Sequence, residues 1–152
     1  MSNYENLMLN NQLCFALYAS SNAIAKLFNQ KLDKLGLTYT QFLVLLVLWE
    51  TDGLSVKTLS SKLKLDSGTV TPILKRLEKA DILSRKRNPN DERSVNVYLT
   101  EQGKSLEHEV ADIQKKVACE TELSESEFVE LRSTLHGLLE TMTEKLKEND
   151  AA

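Results

Sequence analysis

The chain has few of the residues on which several classes of protein depend. Among its 152 residues are two cysteines, Cys14 and Cys119, which lie far apart in the sequence and are expected to be free thiols rather than a structural disulfide. The two histidines, His108 and His136, lack partners that would complete a catalytic base or a metal site. The sequence therefore predicts no metal, no cofactor and no enzyme active site.

Long apolar runs and a targeting segment are also missing. The longest apolar run, residues 42–49, is far shorter than the roughly 18 to 20 residues that a membrane-spanning helix requires. Residues 1–12 contain no lysine or arginine ahead of an apolar segment, so they do not resemble a secretion signal. We find no internal repeat or low-complexity segment, and we expect one cytoplasmic domain of ordinary size.

The charges that are present are unevenly distributed. The net charge is -3, yet residues 57–93 hold ten lysines and arginines against five aspartates and glutamates. The remaining residues hold nine basic and seventeen acidic side chains. Residues 57–93 therefore carry a net charge of +5, and the rest of the chain carries -8. Such a division can direct an anionic polymer to one face of the protein. The alternative is a chance cluster on a charged surface.

Residues 55–100 have the order of a winged helix-turn-helix: a helix, a turn, a second helix and a β-hairpin. Ser55 is a suitable cap for a helix over residues 56–63, and residues 64–66 form the turn. The second helix has one buried face at helical spacing, formed by Val70, Ile73, Leu74 and Leu77. Its outer face is small and polar at first and basic later, with Ser67, Gly68, Thr69, Thr71, Lys75, Arg76 and Lys79.

This outer face is suited to insertion into a DNA major groove, because small residues allow a close approach and long cations reach phosphates or base edges. Pro72 lies about a turn and a half inside the helix, where we expect a tolerated distortion.

The hairpin that follows is predicted to consist of strands over residues 82–87 and 94–99, with a turn over residues 88–92. It carries four cations, namely Arg85, Lys86, Arg87 and Arg93. A basic hairpin directly after a helix-turn-helix is suited to a DNA minor groove. The alternative is an exposed hairpin that charge keeps soluble.

Amphipathic helices are predicted on both sides of this region, over residues 10–35, 101–118 and 124–146. A nearly all-apolar helix follows the first of them and begins at Thr38, in a capping box with Gln41. The terminal helices have more apolar surface than one chain can cover, so we infer a homodimer. The predicted fold is mainly α with a small β-hairpin wing (α+β), in one domain over residues 1–152. Residues 55–100 form its DNA-binding region, and residues 8–35 and 101–148 form its helical dimerisation regions.

Several segments together resemble the MarR family of winged-helix regulators and, within it, the organic-hydroperoxide-sensing branch that is often called OhrR. They are residues 11–21 (NQLCFALYASS), 38–39 (TY), 65–69 (LDSGT), 71–72 (TP), 74–76 (LKR) and 91–95 (DERSV). The resemblance extends from about Leu7 to Leu146.

The resemblance implies a repressor that binds an inverted-repeat operator as a homodimer, with each recognition helix in a major groove and Arg93 in the flanking minor groove. It further implies that an organic hydroperoxide releases the DNA by oxidising Cys14. The family pairs its reactive sulfur with two tyrosine hydroxyls. One of these positions is Tyr39 and the other is Phe28, where the hydroxyl is absent; Tyr18, one turn from Cys14, is a candidate replacement.

A sensor thiol has to be accessible and has to ionise. A helix capped near Asn10 or Asn11 would place Cys14 in or just beyond the first turn, where the helix dipole favours a negative charge. From the residues alone, the alternative is a buried cysteine that acts as a small apolar side chain.

Cys119 matches the second cysteine of those family members that form an intersubunit disulfide, which implies a bond between Cys14 of one subunit and Cys119 of the other. The alternative is an incidental exposed cysteine.

Three other functions fit parts of the sequence. The first is a regulator of the same fold that a phenolic or other organic ligand releases from DNA, with a structural Cys14. The second is a thiol peroxidase, although no second catalytic group accompanies the cysteine. The third is a protein-interaction module, which would show no salt-dependent DNA binding.

Overall fold

The computed structural model describes residues 4–150, apart from the side chain of Glu92. The predicted domain also includes residues 1–3 and 151–152, which lie outside the described residues. The α-helices are α1 (Leu13–Leu32), α2 (Tyr39–Glu50), α3 (Val56–Leu63), α4 (Ser67–Lys79), α5 (Glu101–Glu120) and α6 (Glu125–Asp150). The strands are β1 (Leu54–Ser55), β2 (Leu83–Asn88) and β3 (Asp91–Leu99). Short 3-10 helices span Glu5–Leu7, Leu9–Asn11 and Asp33–Leu35.

The chain divides into two compact units, one ending at Val117 and the other beginning at Ala118. The first unit contains the hydrophobic core, to which α2 contributes from several sides because nearly all of its residues are apolar. Each leucine buried there stabilises the fold by about 2 kcal/mol. The largest fully buried side chains are Leu32, Val44, Leu45, Leu48, Leu59, Val70, Leu74, Leu77, Leu83, Val97, Val110 and Ile113.

The predicted helix caps are present, and they explain where the helices begin. Thr38 and Gln41 form the expected capping box, in which the Thr38 amide donates to Gln41 Oε1 at 2.8 Å. The Ser55 hydroxyl accepts from the Thr58 amide at 3.1 Å. The expected starts of α2 and α3 are therefore confirmed.

Two further caps begin the helices after the wing. Thr100 Oγ1 accepts from the Gly103 amide at 3.1 Å, and Ser124 Oγ accepts from the Glu127 amide at 3.3 Å. The Glu127 carboxylate accepts in return from the Ser124 amide at 2.9 Å, which completes the second predicted capping box. Helix α5 begins as expected and ends two residues later than predicted, at Glu120.

The first helix differs from the prediction at both ends. It begins at Leu13 rather than near Asn10, because Asn11 does not cap it and instead donates from Nδ2 to the Glu5 carbonyl at 2.9 Å. The residues before it form short 3-10 helices. The last three predicted residues, Asp33–Leu35, also form a 3-10 helix, which ends at Gly36 with a left-handed φ of 67°.

The β-sheet is larger than the predicted hairpin, with three antiparallel strands in the order β1-β3-β2. The predicted five-residue turn over 88–92 is wrong, because Asn88 pairs with Asp91 and only Pro89 and Asn90 remain between the strands. The Asn88 side chain accepts from the Asn90 amide at 2.9 Å, which stabilises this tight turn. Backbone pairing between polar residues therefore extends the hairpin beyond the alternating apolar residues from which its strands were predicted.

The second unit is dominated by α6. None of its 26 residues is buried, although it carries a stripe of large apolar side chains. Val129, Leu131, Leu139, Met142 and Leu146 are between 47% and 64% exposed. Within residues 4–150, no single helix is long and apolar enough to cross a membrane. The segments Leu13–Leu35 and Tyr39–Glu50 pass that test only as a pair, and they are bent by 77° at their junction.

Candidate functional site

Helix α4 has the two faces that its sequence predicts. Val70, Leu74 and Leu77 are buried and anchor one face, whereas Ile73, which was also expected to be buried, is only half-buried beside them. Asp66 caps the helix, because its Oδ1 accepts from the Thr69 amide at 2.8 Å and its Oδ2 accepts from the Thr69 hydroxyl at 2.7 Å. These bonds hold the pKa of Asp66 below its usual range. The opposite face is therefore free to contact a ligand, and its exposed side chains include Ser67, Thr69, Lys75, Arg76 and Lys79.

Thr71 and Pro72 differ in detail from what the sequence suggested. The Thr71 side chain is half-buried, and its hydroxyl donates to the Ser67 carbonyl at 2.7 Å. Pro72 is exposed, and α4 runs through it without a break. Because proline has no N–H, position 72 donates no hydrogen bond to the Gly68 carbonyl. The missing bond lies at the exposed start of α4, where water or a ligand can satisfy the carbonyl.

The wing presents most of its cations to solvent. Lys86, Arg87 and Arg93 are exposed, and Lys86 Nζ lies 5.6 Å from the centre of the Tyr98 ring. The Arg93 amide donates to Asp91 Oδ1 at 3.1 Å, which fixes the backbone at the start of β3. These side chains are placed where an extended polyanion can reach them.

Arg85 is different, because its guanidinium is engaged within the protein. Its Nε and Nη2 atoms donate to Glu78 Oε2 at 2.9 and 2.6 Å, and its backbone amide donates to Glu78 Oε1 at 3.0 Å. The hydrogen bond from Arg85 holds the pKa of Glu78 below its usual range. No local pattern predicts this pairing, since α4 and β2 meet only in the folded chain.

A groove of about 440 Å³ brings the helix-turn-helix and the wing together. Its lining includes Ser55 of β1, Lys57 of α3, Thr71 of α4, Arg85 of β2, and Asp91, Arg93 and Ser94 of β3. Residues from five elements therefore share one concavity, in which basic side chains and hydroxyl groups outnumber the single carboxylate of Asp91. Ser55, Lys57 and Ser94 were not among the predicted contact residues.

The Cys14 thiol is exposed and lies at the second residue of α1, within the first turn as predicted. The residue before α1 is Gln12 rather than Asn10 or Asn11. Tyr18, one turn further along, is 66% exposed. The alternative of a buried, small apolar cysteine is therefore excluded within this chain.

The two other predicted pocket residues lie together, but away from Cys14. The Phe28 and Tyr39 rings are 5.3 Å apart between centroids, and Phe42, which the sequence analysis missed, stacks on Phe28 at 4.9 Å. Phe42 follows Tyr39 by three residues on α2, a spacing that could have identified it. Burial raises the pKa of Tyr39. Cys14 and Phe28 are separated by 14 positions of sequence, or roughly 21 Å of helix, so one chain does not assemble the predicted pocket.

Cys119 lies in the last turn of α5 and belongs to the second unit. Its thiol is exposed and free, and its carbonyl accepts from the Glu122 amide at 3.1 Å. Helix α5 ends one residue after Cys119, so this cysteine lies near the turn between α5 and α6, where it was predicted.

A second groove, of about 470 Å³, lies between α2 and α5. It is largely apolar, with Phe42, Leu46, Trp49 and Val110 among its lining residues, and Glu50 and Glu107 contribute carboxylates. Trp49 Nε1 donates to the Gly103 carbonyl at 3.1 Å, which fixes the indole at this junction. The volume is within the range of small-ligand sites.

Comparison with known proteins gives a consistent result. Residues 26–110 match the family described as transcriptional regulator SarA/Rot. The chain is 45% identical over 142 residues to the organic hydroperoxide resistance transcriptional regulator of Bacillus subtilis (strain 168), which covers 93% of this chain and 97% of that protein.

The chain is also similar to solved structures of AbfR of Staphylococcus epidermidis. Reduced AbfR bound to DNA gives a TM-score of 0.82 at 33% identity, covering 95% of this chain and 99% of that one. Disulfide-formed AbfR gives 0.64 at 33% identity, covering 94% and 95%.

Proposed function

The chain belongs to the MarR/SarA family of winged helix-turn-helix transcriptional regulators, and we propose that it is a repressor that responds to organic hydroperoxides in the cytoplasm. The reduced homodimer binds an inverted-repeat operator, and oxidation of Cys14 releases it. One observation carries the proposal: a single chain combines an exposed thiol in the first turn of α1 with a basic winged helix-turn-helix. The 45% identity to a regulator of organic hydroperoxide resistance supports the choice of oxidant.

DNA binding is assigned to α4 and the wing. The start of α4 enters the major groove, where Ser67, Gly68 and Thr69 allow close approach, while Lys75 and Arg76 reach phosphates or base edges. Thr71 contributes at the groove beside the wing. Arg87 and Arg93 serve the adjacent minor groove, where narrow A·T-rich DNA attracts arginine. The similarity to reduced AbfR bound to DNA supports this arrangement.

A homodimer would cover the apolar side chains that the single chain leaves exposed. On α6 these form a stripe without a buried member, and on α1 Leu13 and Ile24 are 63% and 39% exposed. Contiguous apolar surface of this kind marks an interaction site in a soluble protein. Dimerisation also supplies the two recognition helices that an inverted repeat requires.

The sensor pocket is proposed to form between subunits, because roughly 21 Å of α1 separates Cys14 from Phe28 in one chain. Cys14 of one subunit would face Phe28 and Tyr39 of the other. Burial raises the pKa of Tyr39, so its hydroxyl stays protonated near neutral pH and can donate a hydrogen bond to the sulfur. Phe28 supplies an apolar wall, and Tyr18 is available one turn from the thiol.

The proposed chemistry proceeds in two steps. The Cys14 thiolate attacks the terminal oxygen of the hydroperoxide, so that an S–O bond forms and the O–O bond breaks. Cys14 becomes a sulfenic acid, and the leaving alkoxide takes up the proton that the thiol had released and departs as an alcohol. The Cys119 thiol of the other subunit then attacks the sulfenic acid, forming a disulfide and releasing water. Both thiols are exposed and free in this structure, which supports this route, as does the similarity to disulfide-formed AbfR.

DNA binding before and after oxidation tests the function. The reduced protein should bind a duplex that contains two half-sites roughly one helical turn apart, with an affinity that falls steeply with salt. Treatment with cumene hydroperoxide should abolish binding, and a dithiol reductant should restore it. Binding that oxidation left unchanged would contradict the proposal.

The second candidate is a regulator that a small organic ligand releases from DNA, and the apolar groove between α2 and α5 favours it. Trp49 lines that groove and is the single tryptophan of the chain, so its fluorescence would report a bound phenolic compound. Saturable quenching together with loss of DNA binding, in the absence of oxidant, would support this function instead.

A further inference from the structure

The ion pair between Glu78 and Arg85 joins the two elements that are proposed to contact DNA. Glu78 lies in the last turn of α4, and Arg85 lies near the base of β2. The same carboxylate binds the guanidinium through Oε2 and the β2 backbone amide through Oε1. The Glu78 carboxylate therefore fixes both the β2 backbone and the Arg85 side chain relative to α4.

This contact lies at a position in the sheet from which it can control the orientation of the wing. The strand order is β1-β3-β2, so β1 supports only the β3 side of the hairpin, while β2 forms an edge. Arg85 pairs with Val97, which is fully buried, and the following positions pair with residues outside the core. Glu78 thus holds the edge strand at the point where the wing leaves the core.

A small change at this point becomes larger at the tip of the wing. Strand β2 ends three residues beyond Arg85, at Asn88, or about 10 Å further along at roughly 3.3 Å per residue. A tilt of about 10° at Arg85 would therefore move the turn by roughly 2 Å, which is enough to break a well-formed hydrogen bond. Arg87 and Arg93 lie on this distal part of the hairpin.

We propose that Glu78 is a positioning residue for DNA binding, which sets the angle of the wing relative to α4 and thereby places Arg93 in the minor groove. Arg85 acts in the same contact, as the partner of Glu78 rather than as a DNA ligand. The inference rests on the proposed DNA-binding function and adds to it a carboxylate that touches no DNA.

For Glu78→Gln, the loss of charge and the loss of positioning predict opposite changes in DNA affinity. Removing a negative charge from a basic DNA-binding face should tighten binding, because repulsion of the phosphates falls. Losing the ion pair should weaken binding, because the wing is no longer held. The direction of the change in affinity therefore separates the two explanations.

The experiment measures fluorescence anisotropy of reduced wild-type, Glu78→Gln and Arg93→Ala proteins and of the double variant. One duplex contains the inverted repeat with its A·T-rich flanks, and a shorter one ends before the flanks that the wings would reach. Glu148→Gln is the matched control, because it removes the same charge from an exposed ion pair with Lys145 on α6. Glu148 lies two residues beyond Leu146, on the side of α6 that faces away from the apolar stripe proposed for dimerisation. Thermal unfolding of each variant reports its folding.

On the long duplex, Glu78→Gln should bind about tenfold more weakly than the wild type, the effect of misplacing one contacting side chain. On the short duplex it should bind as well as the wild type or better. In the Arg93→Ala background, Glu78→Gln should weaken binding by much less than tenfold, since Arg93 is gone and only Arg87 still depends on the angle of the wing. Glu148→Gln should match the wild type throughout.

Unchanged or tighter binding of Glu78→Gln to the long duplex would overturn this inference alone, as would losses that simply add in the double variant. A wild-type protein that bound neither duplex would contradict the proposed function and this inference with it. If Glu78→Gln fails to fold, Arg85→Lys replaces it, because lysine keeps the charge but loses the two-point contact. The comparison of Arg85→Lys, Arg93→Ala and their double variant on the same two duplexes then decides the outcome.

Discussion

Replacing Gly103 with alanine should destabilise the protein, because no space exists for the added methyl group. Gly103 is buried in the first turn of α5, and a Cβ atom there would lie 2.1 Å from the Ile82 carbonyl oxygen and 3.1 Å from Leu99 Cδ2. The first contact involves backbone, so relief requires α5 and the segment before β2 to separate by about 1 Å. The Thr100 hydroxyl and the Thr100 amide both donate to the Ile82 carbonyl across this junction, at 3.0 and 3.1 Å.

The magnitude follows from these contacts. Overpacking costs about 1 to 3 kcal/mol, and weakening two hydrogen bonds costs about 1 kcal/mol each. The better helix propensity of alanine returns at most about 1 kcal/mol. We therefore expect Gly103→Ala to lose about 2 to 4 kcal/mol, which for a chain of this size lowers the Tm by about 5 to 15 °C. Thermal unfolding at one fixed protomer concentration measures it, since a dimer's Tm depends on concentration.

Gly137→Ala is the matched control. Gly137 lies within α6, no atom is within 4 Å of its hypothetical Cβ, and the residue is roughly half a turn from the apolar stripe. The same substitution should stabilise the protein there by up to about 1 kcal/mol. A Gly103→Ala protein as stable as Gly137→Ala would refute the packing described around Gly103.

Three further substitutions test other parts of the account. Arg93→Ala should weaken binding to the operator about tenfold and lower the slope of log affinity against log salt by about one per wing; an unchanged slope would remove Arg93 from the interface. Cys119→Ser should prevent the covalent dimer that wild-type protein forms with cumene hydroperoxide on a non-reducing gel, and a persisting dimer would refute its pairing with Cys14. Ser124 holds the pKa of Glu127 below its usual range, so the stabilisation is present above about pH 4.3 and is lost as the pH falls through the lower folded value. The Tm difference between wild type and Glu127→Gln should therefore be largest near pH 7 and should shrink as the pH falls below about 4.3, and a constant difference would contradict the capping role.

Much of the fold could be predicted because its signals are local. The capping boxes at Thr38 and Ser124 and the cap at Ser55 lie within three residues of their partners, so the sequence contains both halves of each interaction. The apolar spacing of α4 likewise predicts its buried face. The resemblance to the MarR family is confirmed by the match to residues 26–110 and by the relative in Bacillus subtilis.

The remaining features depend on contacts that reach beyond one turn of helix, some of them between distant parts of the chain. Strand β1 has only two residues, and it exists because Leu54 and Ser55 pair with Val97 and Asn96. The start of α1 depends on Asn11, whose side chain binds Glu5 rather than capping the helix. No local pattern identifies such pairings.

The candidate site shows the same division. The apolar spacing of α4 identified its exposed face, because spacing is a local property. The accessible thiol of Cys14 was expected from the family resemblance, since the residues alone favoured a buried cysteine. The sequence placed Arg85 with the DNA-binding cations, whereas the structure gives it Glu78 as a partner. It also joined Cys14 to Phe28 and Tyr39, which one chain holds well apart on α1 and at the start of α2. The roles of these residues stay predictions.

The central claim is that oxidation of Cys14 controls DNA binding, and a titration of the preformed complex tests it most directly. Cumene hydroperoxide is added in small steps to reduced protein bound to a labelled inverted-repeat duplex, with anisotropy as the readout. The wild-type complex should dissociate as the oxidant approaches one equivalent per protomer, while the Cys14→Ser complex should remain intact. Equal release of both proteins from DNA would contradict the account.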